Sequence, residues 1–273
     1  MIAWAELPKL VAFMRRDLRI MLSYRMAALG GLLGLVAQAL VLSFIGKLVD
    51  PSRLPVFGDT RATYMEFVSI GIGLNMVIML ILHQLATAVR NEQMIGTLES
   101  LLVTPTRIAT IQAGSAAFGL VYVPLRIGVF VAIIAVAFGL NLHASGILPA
   151  AVLLATFLPF LWGLGLLSGA AILTFRRGVG AVTSGGAFLA LASGAFFPLS
   201  LLPHWLHALA DANPLAIALS GLRETLIGGI GWASIGTDLL EIVPLSLIVL
   251  SAGICAFRLA LRRERRLGTL GLY

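Results

Sequence analysis

Few residues in this chain have the types and spacing to do chemistry. His204 and His207 stand three apart, as two ligands on one helical turn would, and Asp211 follows. A zinc site needs three or four N, S or O ligands. No other carboxylate or cysteine clusters with this pair, so it suits an interfacial position beside Trp205 better than a metal site, and no metal is expected. Paired carboxylates and a His–nucleophile pair are also missing, so no catalytic residues are assigned. No G-x-x-x-x-G-K-[ST] loop occurs; Gly46-Lys47 is followed by Leu48. The chain therefore cannot cradle a nucleotide triphosphate by that route.

The remaining candidates are polar residues in apolar surroundings. Arg126 is the one charge within Ile108–Leu140, and Asn75, His83 and Gln84 lie in the charge-free run Phe67–Val89. An arginine at mid-membrane depth costs at least about 2.5–3.5 kcal/mol on insertion scales. Arg126 reads equally as a pathway residue meeting an anionic head group and as a side chain snorkelling to the cytoplasmic interface. Asn75 and His83 are candidate pathway residues on the same grounds, against hydrogen bonding to a neighbouring helix.

These residues must be positioned by membrane helices. Of 273 residues, 59% are hydrophobic and 11% charged, and mean hydropathy is +1.02. Soluble domains carry about 25% charged residues. The net charge of +7 is accounted for by cytoplasmic anchoring against anionic lipid, so no nucleic-acid partner is expected. A span needs about 20 apolar residues, and six candidates qualify: Ala27–Gly46, Phe67–Val89, a stretch within Ile108–Leu140, Gly146–Phe175, Gly178 to near Pro198, and about Leu239–Leu259. Both ends are rich in arginine. With both ends cytoplasmic, fourteen of the nineteen Lys and Arg lie inside, four outside, and Arg126 within a span.

Two segments are amphipathic without being spans. Residues 8–23 place Leu10, Val11, Met14, Leu18, Met21 and Leu22 on one side and Lys9, Arg15, Arg16 and Arg19 on the other, with Asp17 at the boundary. Pro8 suits a helix start, and the helix suits the cytoplasmic interface. In Glu92–Leu102, at about 100° per residue, Met94, Ile95, Leu98, Leu101 and Leu102 share one half of the wheel. Glu92, Gln93, Gly96, Thr97, Glu99 and Ser100 share the other. Asn91 is placed to cap this helix and Pro105 to end it. Helices that rest on lipid favour Lys and Arg on the polar face. Two Glu and no cation suit a protein partner instead. After the fifth span, residues 198–229 are apolar but broken by Pro198, Pro203 and Pro214, as in short helices that enter the outer leaflet and return.

"NEQMIGTLESLLVTP" resembles the E-x-x-x-G-T-x-E-x-L-x-x-T-P signature of type-2 ABC export permeases, the membrane subunits of bacterial ATP-driven exporters. Glu92, Gly96, Thr97, Glu99, Leu101, Thr104 and Pro105 carry the match. Pro198, Pro203, Asn213-Pro214-Leu215 and Arg223 resemble the family's stretch after span five, and Arg15-Arg16-Asp17-Leu18 its amphipathic start. The resemblance covers essentially the whole chain. It implies an all-α integral membrane protein forming a single permease domain over 1–273. Its parts would be an interfacial helix (1–25), six transmembrane helices, a cytoplasmic coupling helix (90–105) and re-entrant helices (198–229). It further implies two permease subunits, with a homodimer preferred to a heterodimer, above two copies of a separate ATP-binding subunit. The chain itself binds no cofactor; ATP and Mg belong to the partner. The expected location is the bacterial cytoplasmic membrane. The expected cargo is an amphipathic or lipid-like molecule, with lipid-linked polysaccharide as the alternative. A non-transporting scaffold and an intramembrane enzyme are the other classes.

Overall fold

In the computed structural model the described residues are 2–50, 54–57, 59–95, 108–139, 141–175, 179–199 and 213–267. They are mostly helical. Eight helices follow one another: α1 (Ile2–Ser23), α2 (Arg25–Leu48), α3 (Tyr64–Ile95), α4 (Ile108–Phe138), α5 (Ile147–Phe175), α6 (Val179–Ala192), α7 (Pro214–Leu226) and α8 (Trp232–Leu267). Among the described residues four helical stretches are long and apolar enough to cross a membrane: Leu29–Leu48, Tyr64–Leu85, Ala144–Phe175 and Ile235–Glu264.

Several expected boundaries move. The N-terminal helix begins at Ile2, so Pro8 lies inside it and does not start it. Span two and the first residues of the expected coupling helix form one continuous rod, α3. Asn91 therefore sits within a helix and cannot be an N-cap. The helix of the expected sixth span, α8, starts at Trp232, seven residues ahead of Leu239. The fold is also not purely α-helical. A two-residue antiparallel ribbon, β1 (Val56–Phe57) and β2 (Thr60–Arg61), pairs Val56 with Arg61 and Phe57 with Thr60. Gly58-Asp59 between the strands is a two-residue hairpin signal that the sequence did offer.

The largest change is at α6, which stops at Ala192, six residues before Pro198. Its 14 residues make about 21 Å of helix, against a hydrocarbon core of about 30 Å. The stop has a clear cause. Gly194 adopts φ +74, its N–H donates to Leu191 O, and Ala195 N–H donates to Ala190 O. This is a Schellman ending, in which a left-handed glycine lets the chain turn away from the helix.

The turn leaves the carbonyls of Gly194 and Ala195 facing inward, and Arg223 of α7 meets them. Its Nη2 donates to Gly194 O at 3.0 Å, to Ala195 O at 3.3 Å and to Phe67 O at 3.1 Å, and Nε donates to Phe67 O at 3.2 Å. The guanidinium carbon lies 3.4 Å from the Phe67 ring centroid. One side chain thus ties α7 to the end of α6 and to the first turns of α3. Gly71 permits the approach: a Cβ there would come within 1.9 Å of Ala195 O. At the other end of α7, Asn213 caps the helix by accepting from Leu215 N–H at 3.1 Å, while its Nδ2 donates to Leu189 O at 3.0 Å. Pro214 takes the first helical position.

α5 is the central pillar. It packs along α8, α3 and α7. Gly163 and Gly253 bring α5 and α8 into backbone contact, since a Cβ on Gly253 would lie 2.4 Å from Gly163 O. Gly165 faces Leu85 and Gly186 faces Leu82 and Met79, both on α3, so these glycines serve packing within the chain. Gly30 and Gly34 do not: a Cβ at either meets nothing within 4 Å. Glu66 was not anticipated as a structural residue. It is buried, forms a capping box with Thr63, and accepts from Asn141 N–H at 3.2 Å. It thereby pins the loop after α4 to the start of α3.

Four substitutions test these contacts. Gly253→Leu should lower the midpoint of heat-induced unfolding in detergent, at a cost of about 1–3 kcal/mol from overpacking, while Gly30→Leu should leave the midpoint in place. Arg223→Met should cost about 3 kcal/mol or more by leaving buried carbonyls without donors. Arg223→Lys should fall between Met and wild type. An unchanged midpoint in Arg223→Met would show that the Arg223 clamp does not hold the fold together.

Candidate functional site

Among the pockets that α3 helps to line, two gather the candidate residues, one near its N-terminal end and one deeper. The deeper pocket, about 520 Å³, is bounded by α2, α3, α4 and the turn after α6. It gathers all three candidate pathway residues. Asn75 and His83 reach it from α3 and Arg126 from α4, and Gln84, Gln38 and Tyr122 join them. Ile72, Met76, Met79, Leu80 and Phe196 complete the wall.

The antiparallel packing of α3 and α4 explains the meeting. Glu66 ties the two helices at one end. Asn75 lies eleven residues from the start of α3 and Arg126 twelve residues from the end of α4. At about 1.5 Å per residue both stand about 16–18 Å from that shared end. Arg126 is half-buried and turned onto the pocket wall. Tyr122 stacks on Phe118, with ring centroids 5.6 Å apart. The amide oxygen of Gln84 is buried without a hydrogen-bond donor among the described residues.

The second pocket, about 510 Å³, is lined by Phe67, Ser193, Pro198, Ser220, Arg223, Asp238 and Glu241, among others. It collects part of the predicted re-entrant segment: Pro198 and Arg223 are both buried on its wall. There the buried Arg223 guanidinium is held by three main-chain carbonyls. Burial, followed by the nearby Asp238, pushes the Glu224 carboxyl above its ordinary range. The Gly194–Pro198 turn separates the two pockets, with Phe196 on the deeper side and Pro198 on the other.

The N-terminal helix is held by protein as well as by its amphipathicity. Phe13 is buried against Gly114 of α4, where a Cβ would come within 2.6 Å of its ring. Val11, Leu18 and Leu22 stay exposed, as do Arg15, Arg16 and Arg19. Asp17, awkward on the wheel, pairs with Arg16 Nε at 2.9 Å. Arg16 also lies over the Phe13 ring, 4.9 Å from its centroid.

The predicted coupling residues divide. Asn91, Glu92 and Gln93 belong to the last turns of α3. Gly96, Thr97, Glu99 and Ser100 lie outside the described residues, and so do Pro203 and the His204–His207 pair. Among the described residues no group of three or more His, Cys, Asp or Glu could hold a metal ion. The sequence missed Tyr122 and Phe196 as pocket residues, because nothing in their spacing distinguishes them from ordinary span aromatics. Glu66 did carry a signal, the T-x-x-E of a capping box at Thr63.

A family profile described as ABC-2 type transporter matches residues 9–227, from α1 to the end of α7. No curated protein matches the chain. The profile covers most of the chain, including the amphipathic start, the segment joining α3 to α4, both pockets' α3 walls and the Arg223 clamp. The chain is a multi-pass membrane protein that belongs to the ABC-2 type transporter family, as the permease part that works with a separate ATP-binding subunit.

Proposed function

We propose that this permease exports an amphipathic or lipid-like molecule from the cytoplasm or inner leaflet of a bacterial cytoplasmic membrane. Two copies of the chain, each with six membrane crossings and both termini cytoplasmic, work above two ATP-binding subunits that hold ATP and Mg. One observation carries the coupling. The segment between Ile95 and Ile108 joins the very helices, α3 and α4, that line the deeper pocket with Asn75, His83 and Arg126. Asn91, Glu92, Gln93, Gly96, Thr97, Glu99 and Ser100 offer an acidic and polar face to the motor. A push on that face is delivered along both pocket walls.

The N-terminal helix supports the same reading. It sits on α4 through Phe13 and Gly114, so a motor contact at Arg15, Arg16 or Arg19 also reaches the helix that carries Arg126. Transport then requires the cargo to bind differently in the two states of the pocket. The route runs from the deeper pocket, past the Phe196 turn, to the pocket beside Arg223, Pro198 and Asp238. A scaffold needs neither the acidic face nor the polar pocket.

Charge reversal at both Glu92→Lys and Glu99→Lys should leave the complex assembled but uncouple it. ATPase activity would lose its stimulation by cargo, and export would fall at least about tenfold, the loss of about 1.4 kcal/mol of coupling. Normal export by an assembled double variant would refute the coupling assignment.

A further inference from the structure

The deeper pocket has an unusual charge balance. Among the described residues its polar lining is Gln38, Asn75, His83, Gln84, Tyr122 and Arg126, with no carboxylate. Among the described residues Arg126 makes no hydrogen bond or ion pair. The chain treats its other deeply placed arginine quite differently: Arg223 is saturated by three carbonyls and a ring. A cation held in low-dielectric surroundings without a counter-charge is costly unless something charged or strongly polar joins it. The buried amide oxygen of Gln84 is a second unmet group on the same wall. One ligand could satisfy both if it carried anionic oxygens and a hydrogen-bond donor.

The rest of the wall defines the ligand's other half. Ile72, Met76, Met79, Leu80 and Phe196 are apolar, and methionine adapts to irregular chains. The α3 lining runs from Ile72 to Gln84, about 18 Å along the helix axis. That is long enough to hold a head group at one level and hydrocarbon at another. The volume also lies within the range of sites for drug-sized ligands.

We infer that this pocket binds an anionic amphiphile, with a phosphate or carboxylate head group against Arg126 and its alkyl chain along the Met76–Met79–Phe196 wall. Gln38, Asn75 and Tyr122 hydrogen-bond the head group, and Gln84, nine residues or about 14 Å further along α3, accepts from a donor at the ligand's far end. The inference rests on the transport reading and names its substrate class.

Dodecyl phosphate is a suitable probe, titrated against the purified full-length chain in a neutral maltoside detergent without ATP or ATPase. One saturable site per chain is expected. Arg126→Gln should weaken it at least about tenfold, a difference of about 1.4 kcal/mol, whereas Arg126→Lys should retain most of the affinity. Dodecyltrimethylammonium should not compete, and inorganic phosphate should compete only at far higher concentration. Equal binding by Arg126→Gln and wild type, equal competition by the cationic amphiphile, or displacement by inorganic phosphate at the probe's own concentration would each overturn the inference. A diazirine-bearing dodecyl phosphate tests the wild-type chain, independently of whether any variant folds. Labelled peptides should map to residues 72–84 and 122–130, and labelling confined to other segments would overturn the assignment. Because binding is read without turnover, its loss would leave the Glu92/Glu99 coupling result standing, and the reverse also holds.

Discussion

In hydrocarbon every backbone N–H and C=O must find its partner inside the protein, because no water is there to supply one. This chain breaks the apolar helix α6 early, at Gly194, and then has to satisfy the exposed carbonyls. Arg223 does so. Its guanidinium has several donors in a fixed fork, enough to serve Gly194, Ala195 and Phe67 together, and its flat face rests on the Phe67 ring. A lysine could not match this geometry. The charge that makes Arg223 expensive to bury also strengthens each of its hydrogen bonds. Three helices, α3, α6 and α7, are thereby fixed around one point.

Much else in the structure depends on that point. Because α6 ends there, the Gly194–Pro198 turn stands between the two pockets and neither merges with the other. Because α7 is tied there, its far end is positioned to receive the 3₁₀ turn Ala144–Gly146 before α5, where His143 N–H donates to Leu226 O at 2.8 Å and Gly146 clears Thr225 O. Close backbone contacts through Gly71, Gly146, Gly163 and Gly253 replace the hydrophobic force that soluble cores use, as expected where lipid is as apolar as any side chain.

The sequence revealed the class of fold and the positions of the polar residues more readily than it revealed their partners. Hydropathy located α2, α3 and α5 to within a few residues, because span length is set by bilayer thickness. It overextended α6, since the residues after Ala192 remain apolar while their hydrogen bonding changes; only the Ser193-Gly194 pair hinted at the stop. It separated Arg90–Pro105 from span two on polarity, although the backbone continues as helix to Ile95. Helix continuity depends on hydrogen bonding and does not require a change in polarity to be marked by a break. Arg126, Asn75 and His83 stood out singly as polar residues in apolar runs. That they face one pocket follows from the antiparallel register of α3 and α4, which is set by Glu66 and Asn141 and cannot be read from either helix alone. Arg223 was picked out by family likeness, but its partners are main-chain carbonyls, which have no sequence signature.

The two arginines show how one residue type can serve opposite ends. Arg223 is surrounded by acceptors that the protein itself provides, so its position is overdetermined and its surroundings are rigid. Arg126 is placed among amides, an imidazole and a phenol on a wall made largely by two long helices. Those helices are joined by the segment that carries Glu99, with Glu92 in the last turns of α3. A fully satisfied arginine there would hold α3 and α4 in a single arrangement whatever the motor did. On the proposal above, an arginine whose best partner is the cargo lets the pocket's energy depend on occupancy. It also lets occupancy depend on how α3 and α4 are set. This dependence is the differential binding that a transport cycle needs, and it requires a clamp elsewhere, at Arg223, so that movement along α3 and α4 does not dissolve the break that separates the two pockets.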